Sequence, residues 1–201
     1  MTDSSKIHRL VRLSTAIVIG DWDCVRELRR SAAPGEPDRE WREAILQTHL
    51  FAGFPRLVQA FGVLEEEGGI GVPAAQEVES PMLDPGRGAQ LFDDIYGKGA
   101  DTVRELLDGY HKDFGAWIAE HAYGRVLARP GLQADRRELL AACALAALGQ
   151  DRQLASHCRG ALRCGATLEE LEAAFDSAAD LIPADNLVRA RRIARSFQLE
   201  S

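Results

Sequence analysis

The chain has 201 residues, 46% of them hydrophobic, which is enough to bury a substantial core as one domain or two fused half-domains and excludes intrinsic disorder. Thirty-one acidic against 24 basic residues leave a net charge of −7, and the cations are scattered among carboxylates rather than gathered in a stripe, so nucleic acid is excluded as a partner. The opening Met1-Thr-Asp-Ser-Ser-Lys6 lacks the basic-then-apolar order of a signal peptide, and no apolar run approaches the roughly 20 residues that span a bilayer, so a cytoplasmic protein with no membrane partner is expected.

Apolar residues recur at helical spacing in nearly every long segment and no stretch alternates with period two, so the fold class is all-α. A first helix runs from Ser5 to Gly20 and a second from about Trp22 to Ala33, before Pro34-Gly-Glu-Pro37 breaks the chain and Asp38 caps a third. Gly53 and Pro55 set off a fourth, ending near Leu64. Residues 65–88, with Gly68-Gly69, Pro73, Pro81 and Asp84-Pro-Gly86, read as an irregular linker between a first helical unit (1–64) and a second (89–201). Helices near Ala89–Tyr96 and Thr102–Ala128 follow, with Gly109 and Gly115 as breaks, and then the turn Arg129-Pro-Gly-Leu132. A helix from Asp151 to Arg163 and a capping box formed by Thr167 and Glu170 complete the pattern.

Two stretches overlay at an offset of 129, Leu10–Ala44 on Leu139–Ala173, which aligns Gly20 with Gly149 and the helix starts at Asp38 and Thr167. Two related half-repeats are therefore expected. At the centre of the unit, Asp21, Cys24 and Leu28 of the first copy stand where the second has Gln150, Gln153 and His157. Only the second copy keeps a histidine there. His157 lies at the edge of the apolar stripe Leu154, Cys158, Ala161 and Leu162, so its imidazole faces inward or along a subunit boundary. Glu138 sits near the start of the preceding helix, where the helix dipole favours a carboxylate. Whether the two meet depends on packing that spacing alone does not fix. If they do, the carboxylate sets the tautomer of the imidazole and stabilises the imidazolium, as a general base requires. The competing reading is a core histidine and an unrelated helix-start charge.

Four cysteines, Cys24, Cys143, Cys158 and Cys164, show neither a Cys-x-x-Cys pair nor a metal-ligand spacing with histidine, so neither disulfides nor a bound metal is expected.

Three runs, Arg137-Glu-Leu-Leu-Ala-Ala-Cys-Ala-Leu-Ala-Ala-Leu-Gly149, Gln153-Leu-Ala-Ser-His-Cys-Arg-Gly-Ala-Leu162 and Gly165-Ala-Thr-Leu-Glu-Glu-Leu171, resemble the carboxymuconolactone decarboxylase family. Tyr123–Leu132 is similar to the segment that introduces that domain, and Glu43–Pro55 to the one that ends it, so the likeness covers roughly two thirds of the chain. The second copy has Ala179-Asp-Leu-Ile-Pro-Ala-Asp185 where the family's Ala-Gly-Phe-Pro ending is due, which marks a divergent member. The superfamily includes the alkylhydroperoxidase D proteins, all-helical trimers or hexamers with the motif Glu-x11-Cys-x2-Cys-x3-His. On this chain its Glu falls on Glu138, its cysteines on Gln150 and Gln153, and its His on His157.

Glutamine can neither attack a peroxide nor resolve a sulfenic acid, so the motif's redox centre is missing. The resemblance thus implies acid/base decarboxylation or isomerisation of a small lactone or carboxylic acid by His157 and Glu138, in a homo-oligomer and without a cofactor. Gln150, Gln153, Arg125, Arg129, His49 and His121 are the candidate substrate-binding residues, an arginine serving as a bidentate carboxylate clamp. Trp117 and Tyr123 share an aromatic stripe with His121 and are weaker pocket candidates. Peroxidase activity through the non-motif cysteines and a non-catalytic ligand-binding module are the alternatives.

Overall fold

A computed structural model describes residues 3–78 and 83–197. Among these residues the chain is all-helical, with no strand. The first unit comprises α1 (Asp3–Ile19), α2 (Trp22–Arg30), α3 (Arg39–Gln47) and α4 (His49–Glu66). A short α5 (Ala75–Val78) follows, then α6 (Pro85–Tyr96), α7 (Ala100–Tyr110), α8 (Lys112–Trp117) and a π-helical segment (Ile118–Leu127). The chain closes with α9 (Ala134–Ala147), α10 (Asp151–Arg163), α11 (Leu168–Ser177) and α12 (Ala184–Ser196).

Helix α9 is the axis of the molecule. Every residue from Arg137 to Ala147 is buried, and its small side chains let α1 and α10 lie close against it. A helix that is apolar all round has to be enclosed on every side. The enclosing core is continuous across both units, joining Leu10, Leu13 and Ile17 of α1, Trp41 and Ile45 of α3, Leu140 of α9, Leu154 of α10 and Phe175 of α11. A smaller core of Phe92, Ile95, Ala100, Tyr123 and Leu127 sits between α6, α7 and the π-helical segment.

Local chemistry accounts for most boundaries. Asp38 caps α3 by accepting from the Glu40 and Trp41 amides, and the reciprocal Thr167–Glu170 capping box starts α11. Gly20 and Gly149, with φ of 80° and 68°, end the helices before α2 and α10 in a conformation that side chains with a Cβ rarely adopt. The 129-residue offset also pairs the observed helix starts Trp22 with Asp151 and Arg39 with Leu168. It then lapses, because α4 begins at His49 whereas α12 waits until Ala184. Thr167→Ala is expected to cost about 0.5–2 kcal/mol, read as a lowered urea midpoint at unchanged slope.

Three boundaries differ from the sequence reading. α6 starts at Pro85 rather than Ala89, because Asp84 caps it and proline is well suited to a first helical turn. The linker read over 65–88 is therefore helical at both ends and contains α5; its residues 79–82, including Pro81, lie outside the described residues. The long helix read over Thr102–Ala128 breaks at His111, not at Gly109 or Gly115. There the His111 ring accepts from the Asp113 amide and caps α8, a role its residue type does not advertise.

Candidate functional site

Glu138 and His157 meet. The His157 Nδ1–H donates to Glu138 Oε2 at 2.9 Å across the α9–α10 interface, with side-chain exposures of 15% for the imidazole and 2% for the carboxylate. A carboxylate only accepts, so this contact fixes a proton on Nδ1 and leaves Nε2 outside the Glu138 contact. Burial disfavours the imidazolium, but the adjacent charge of Glu138 and the hydrogen bond outweigh it, and the His157 pKa lies above its ordinary 6.5. In the first copy the offset puts Arg9 and Leu28 at these places; Arg9 donates to the Leu28 carbonyl and no acid–base pair exists there.

Gly160 makes the meeting possible. A Cβ on it would stand 2.4 Å from Glu138 Oε2 and 3.2 Å from Ile95 Cγ2. Gly160→Ala is therefore expected to push the carboxylate away from the ring and lower the His157 pKa; an NMR titration of the imidazole Cε1–H that remains above 6.5 would show that the carboxylate has another way to stay.

Phe51 packs edge-on against His157, with ring centroids 5.8 Å apart. Beyond Ile95 lie Tyr96 and Tyr123, whose hydroxyls are 3.4 Å apart. Burial above all holds both phenols above their ordinary range, with smaller contributions from the neighbouring Tyr96 at Tyr123 and from the Glu138 charge at both, so they are protonated at neutral pH. Phe92 packs against both rings, tilted at 4.5 Å from Tyr96 and edge-on at 4.8 Å from Tyr123.

The remaining candidates fall into separate groups. Gln150 and Gln153, at the positions of the superfamily's cysteines, are exposed around the first turn of α10. His49 and His121 come together with an Nε2–Nε2 distance of 2.7 Å. Because His49 Nδ1 donates to the Leu46 carbonyl at 2.5 Å, its Nε2 must accept, and His121 supplies the proton. Burial, then His49 and Arg125, lower the His121 pKa, and Arg125 lies beside it. Helical turn 49–52, closed by Gly53 at φ 77°, thus presents His49 to the π-helical segment and Phe51 to His157.

Arg129 is not an open clamp. Its Nε and Nη2 hold both oxygens of Glu43 at 2.9 Å, filling in two-pronged fashion the fork that a substrate carboxylate would use. Arg137 Nη2 adds a third contact at 2.9 Å, and Gln47 exchanges hydrogen bonds with Arg137. Glu43 and Arg137 are 0% and 1% exposed, and burial lowers the Arg137 pKa against the attraction of Glu43. Sequence patterning missed this group, whose one signal is charged residues lying within otherwise apolar helical faces.

Two clefts flank these elements. One of about 530 Å³ is lined by Arg87, Leu91, Asp94, Leu127 and Arg129. Another of about 300 Å³ lies beneath α7 and α8, with Phe92 and Tyr123 in its wall.

The all-helical fold thus buries a carboxylate–imidazole pair between two adjacent helices. Residues 112–196 match the carboxymuconolactone decarboxylase family. The chain is also similar to Peroxisomal protein 2 of Schizosaccharomyces pombe, 28% identical over 145 residues that cover 70% of this chain and 67% of the relative.

Proposed function

We propose that the protein is an acid/base enzyme of the carboxymuconolactone decarboxylase type, acting on a small lactone or carboxylic acid. The observation that carries this reading is the 2.9 Å Glu138–His157 contact, which leaves Nε2 of a partly exposed imidazole to exchange a proton. In a decarboxylation, the bond between the carbon skeleton and the carboxylate breaks and carbon dioxide leaves. The electron pair moves into a dienolate, and the imidazolium Nε2–H returns one proton to the far carbon. Glu138 keeps the imidazole in the required tautomer and stabilises its charged form before the transfer.

The thiols give the peroxidase reading no comparable support. Burial pushes Cys158 up to about 12 and Cys164 up to about 11, and raises Cys24 and Cys143 as well, whereas peroxide reduction needs a thiolate.

Homo-oligomerisation belongs to the same proposal. Phe54 of α4 and Trp117 at the end of α8 are 62% and 67% exposed, and exposed aromatics of that kind suit a subunit boundary. A cytoplasmic site of action is likewise proposed, with the peroxisome, from the relative's name, as the competing location. No described helix is long and apolar enough to cross a membrane.

The test follows 4-carboxymuconolactone loss and thiol-dependent peroxide reduction in parallel, for the protein and for His157→Ala. Lactone loss that disappears in the variant supports the proposal. Peroxide reduction that is indifferent to the variant overturns it.

A further inference from the structure

One short turn of the first unit reaches both groups of histidines. Thr48 closes α3, its hydroxyl donating to the Ile45 carbonyl at 2.7 Å, and the Phe51 and Ala52 amides donate to the Thr48 carbonyl at 3.0 Å. Gly53, at φ 77° and ψ 167°, then stops the turn in a conformation that side chains with a Cβ rarely adopt. His49 and Phe51 are two residues apart on it, so their side chains leave the turn about 200° apart. One reaches the π-helical segment and the other reaches α10.

The His49 side is a fastening. Its Nδ1 donates to the Leu46 carbonyl at 2.5 Å, its Nε2 accepts from His121 at 2.7 Å, and Phe54 stacks on its ring with centroids 5.0 Å apart. The segment that carries His121 is anchored in turn. Gly88 of α6 approaches it so closely that a Cβ on Gly88 would stand 2.7 Å from the Gly124 nitrogen.

The Phe51 side bears on the chemistry. Glu138 holds the His157 ring at one nitrogen, and a single hydrogen bond fixes a point while leaving the ring plane free to turn about it. The Phe51 ring, at 5.8 Å and 80° to the imidazole, supplies the second contact that sets the plane. The His157 side chain is left 15% exposed, too little for a lactone ring to lie against it, so a substrate of that size enters only when Phe51 moves aside.

We propose that turn 49–52 is a hinged cover over the Glu138–His157 site, in which Phe51 is a positioning residue that sets the plane of the imidazole and limits access to it, and the His49–His121 contact is the clasp that holds the cover shut. Gly53 is the hinge. The inference rests on the acid/base reading for its effect on turnover, and on the geometry alone for the cover itself.

The probe is diethyl pyrocarbonate, which acylates accessible neutral imidazoles, applied to the full-length protein at the alkaline plateau of the reaction so that ring protonation does not enter the rate. Trypsin cuts after Arg152 and Arg159, and the peptide 153–159 holds His157 as its one histidine, so mass spectrometry of that peptide reads the initial rate at this ring. Phe51→Ala is expected to raise the rate about tenfold, and Phe51→Tyr, which keeps the ring, to leave it near the native value. His121→Phe keeps the packing on Phe54 and loses the nitrogen contact, and is expected to raise the rate about threefold. Because the clasp acts through Phe51, adding His121→Phe to Phe51→Ala should change nothing further. Urea curves confirm that each variant is folded under the conditions of the assay, and Phe51→Leu takes the place of Phe51→Ala if the latter is not. An unchanged rate on truncating Phe51, a Phe51→Tyr variant as reactive as Phe51→Ala, or effects that multiply in the double variant would each overturn the proposal. None of these readings needs turnover, so a native protein inert toward the lactone would count against the acid/base reading and leave the cover standing.

Discussion

Glu43→Ala is expected to destabilise the protein by about 3–5 kcal/mol, the range seen when one partner of a buried ion pair is removed and its counter-charge stays behind. Two guanidiniums depend on that carboxylate. Arg129 grips it with two nitrogens and Arg137, 1% exposed, with a third, while Arg137 Nε already lacks a hydrogen-bond partner. Without Glu43 the positive charge of Arg137 would have only the Gln47 side chain and the Arg129 carbonyl for company. A chemical-denaturation curve should show a lower midpoint at unchanged slope, and Glu43→Gln, which keeps the volume and loses the charge, should recover little. A loss under 1 kcal/mol would mean that water reaches the two arginines and solvates them.

The second large effect is on chemistry. Removing a general acid or base slows the proton-transfer step by about 10²–10⁴. His157→Ala should fall in that range on any substrate the protein turns over. Glu138→Gln should lose less, because Nε2 is still present. In that variant burial acts on the imidazole unopposed, so its pKa should drop below 6.5 and the basic limb of the pH–rate profile, where the imidazolium donor is lost, should move to lower pH.

The stability consequence has a definite sign. In the native protein the raised His157 pKa contributes stability that is complete below the unfolded value of 6.5 and fades as pH rises through the folded value. In Glu138→Gln the dependence reverses, and stability falls as pH drops below 6.5. A midpoint that keeps the native pH dependence in the variant would show that Glu138 does not govern this imidazole.

Helix content was legible because α1, α9 and α10 are long and strongly patterned and because Asp38 and Thr167 carry unambiguous cap chemistry. The α10 boundaries were read to the residue. The break at His111 was not, since a ring nitrogen acting as an N-cap is chosen by geometry rather than by residue type. Spacing also singled out Glu138 and His157 but not their contact, which depends on the absence of a side chain at Gly160 on the facing helix. Arg129 misled for a related reason. An arginine beside a proline turn looks available until a glutamate 86 positions earlier in the chain is found to occupy it.

The close approach of Gly88 to Gly124 bears on where this protein can be divided. Helix α6 lies before the stretch that matches the family, residues 112–196, yet its backbone touches the π-helical segment inside that stretch, and its Ile95 lies against Gly160. The counter-charge for Arg137 comes from farther still, in α3. A polypeptide trimmed to residues 112–196 would therefore begin without α6 and the cleft wall it supplies, and with an unneutralised cation at its centre. What can be recognised by likeness and what can stand alone are, in this molecule, different lengths of chain.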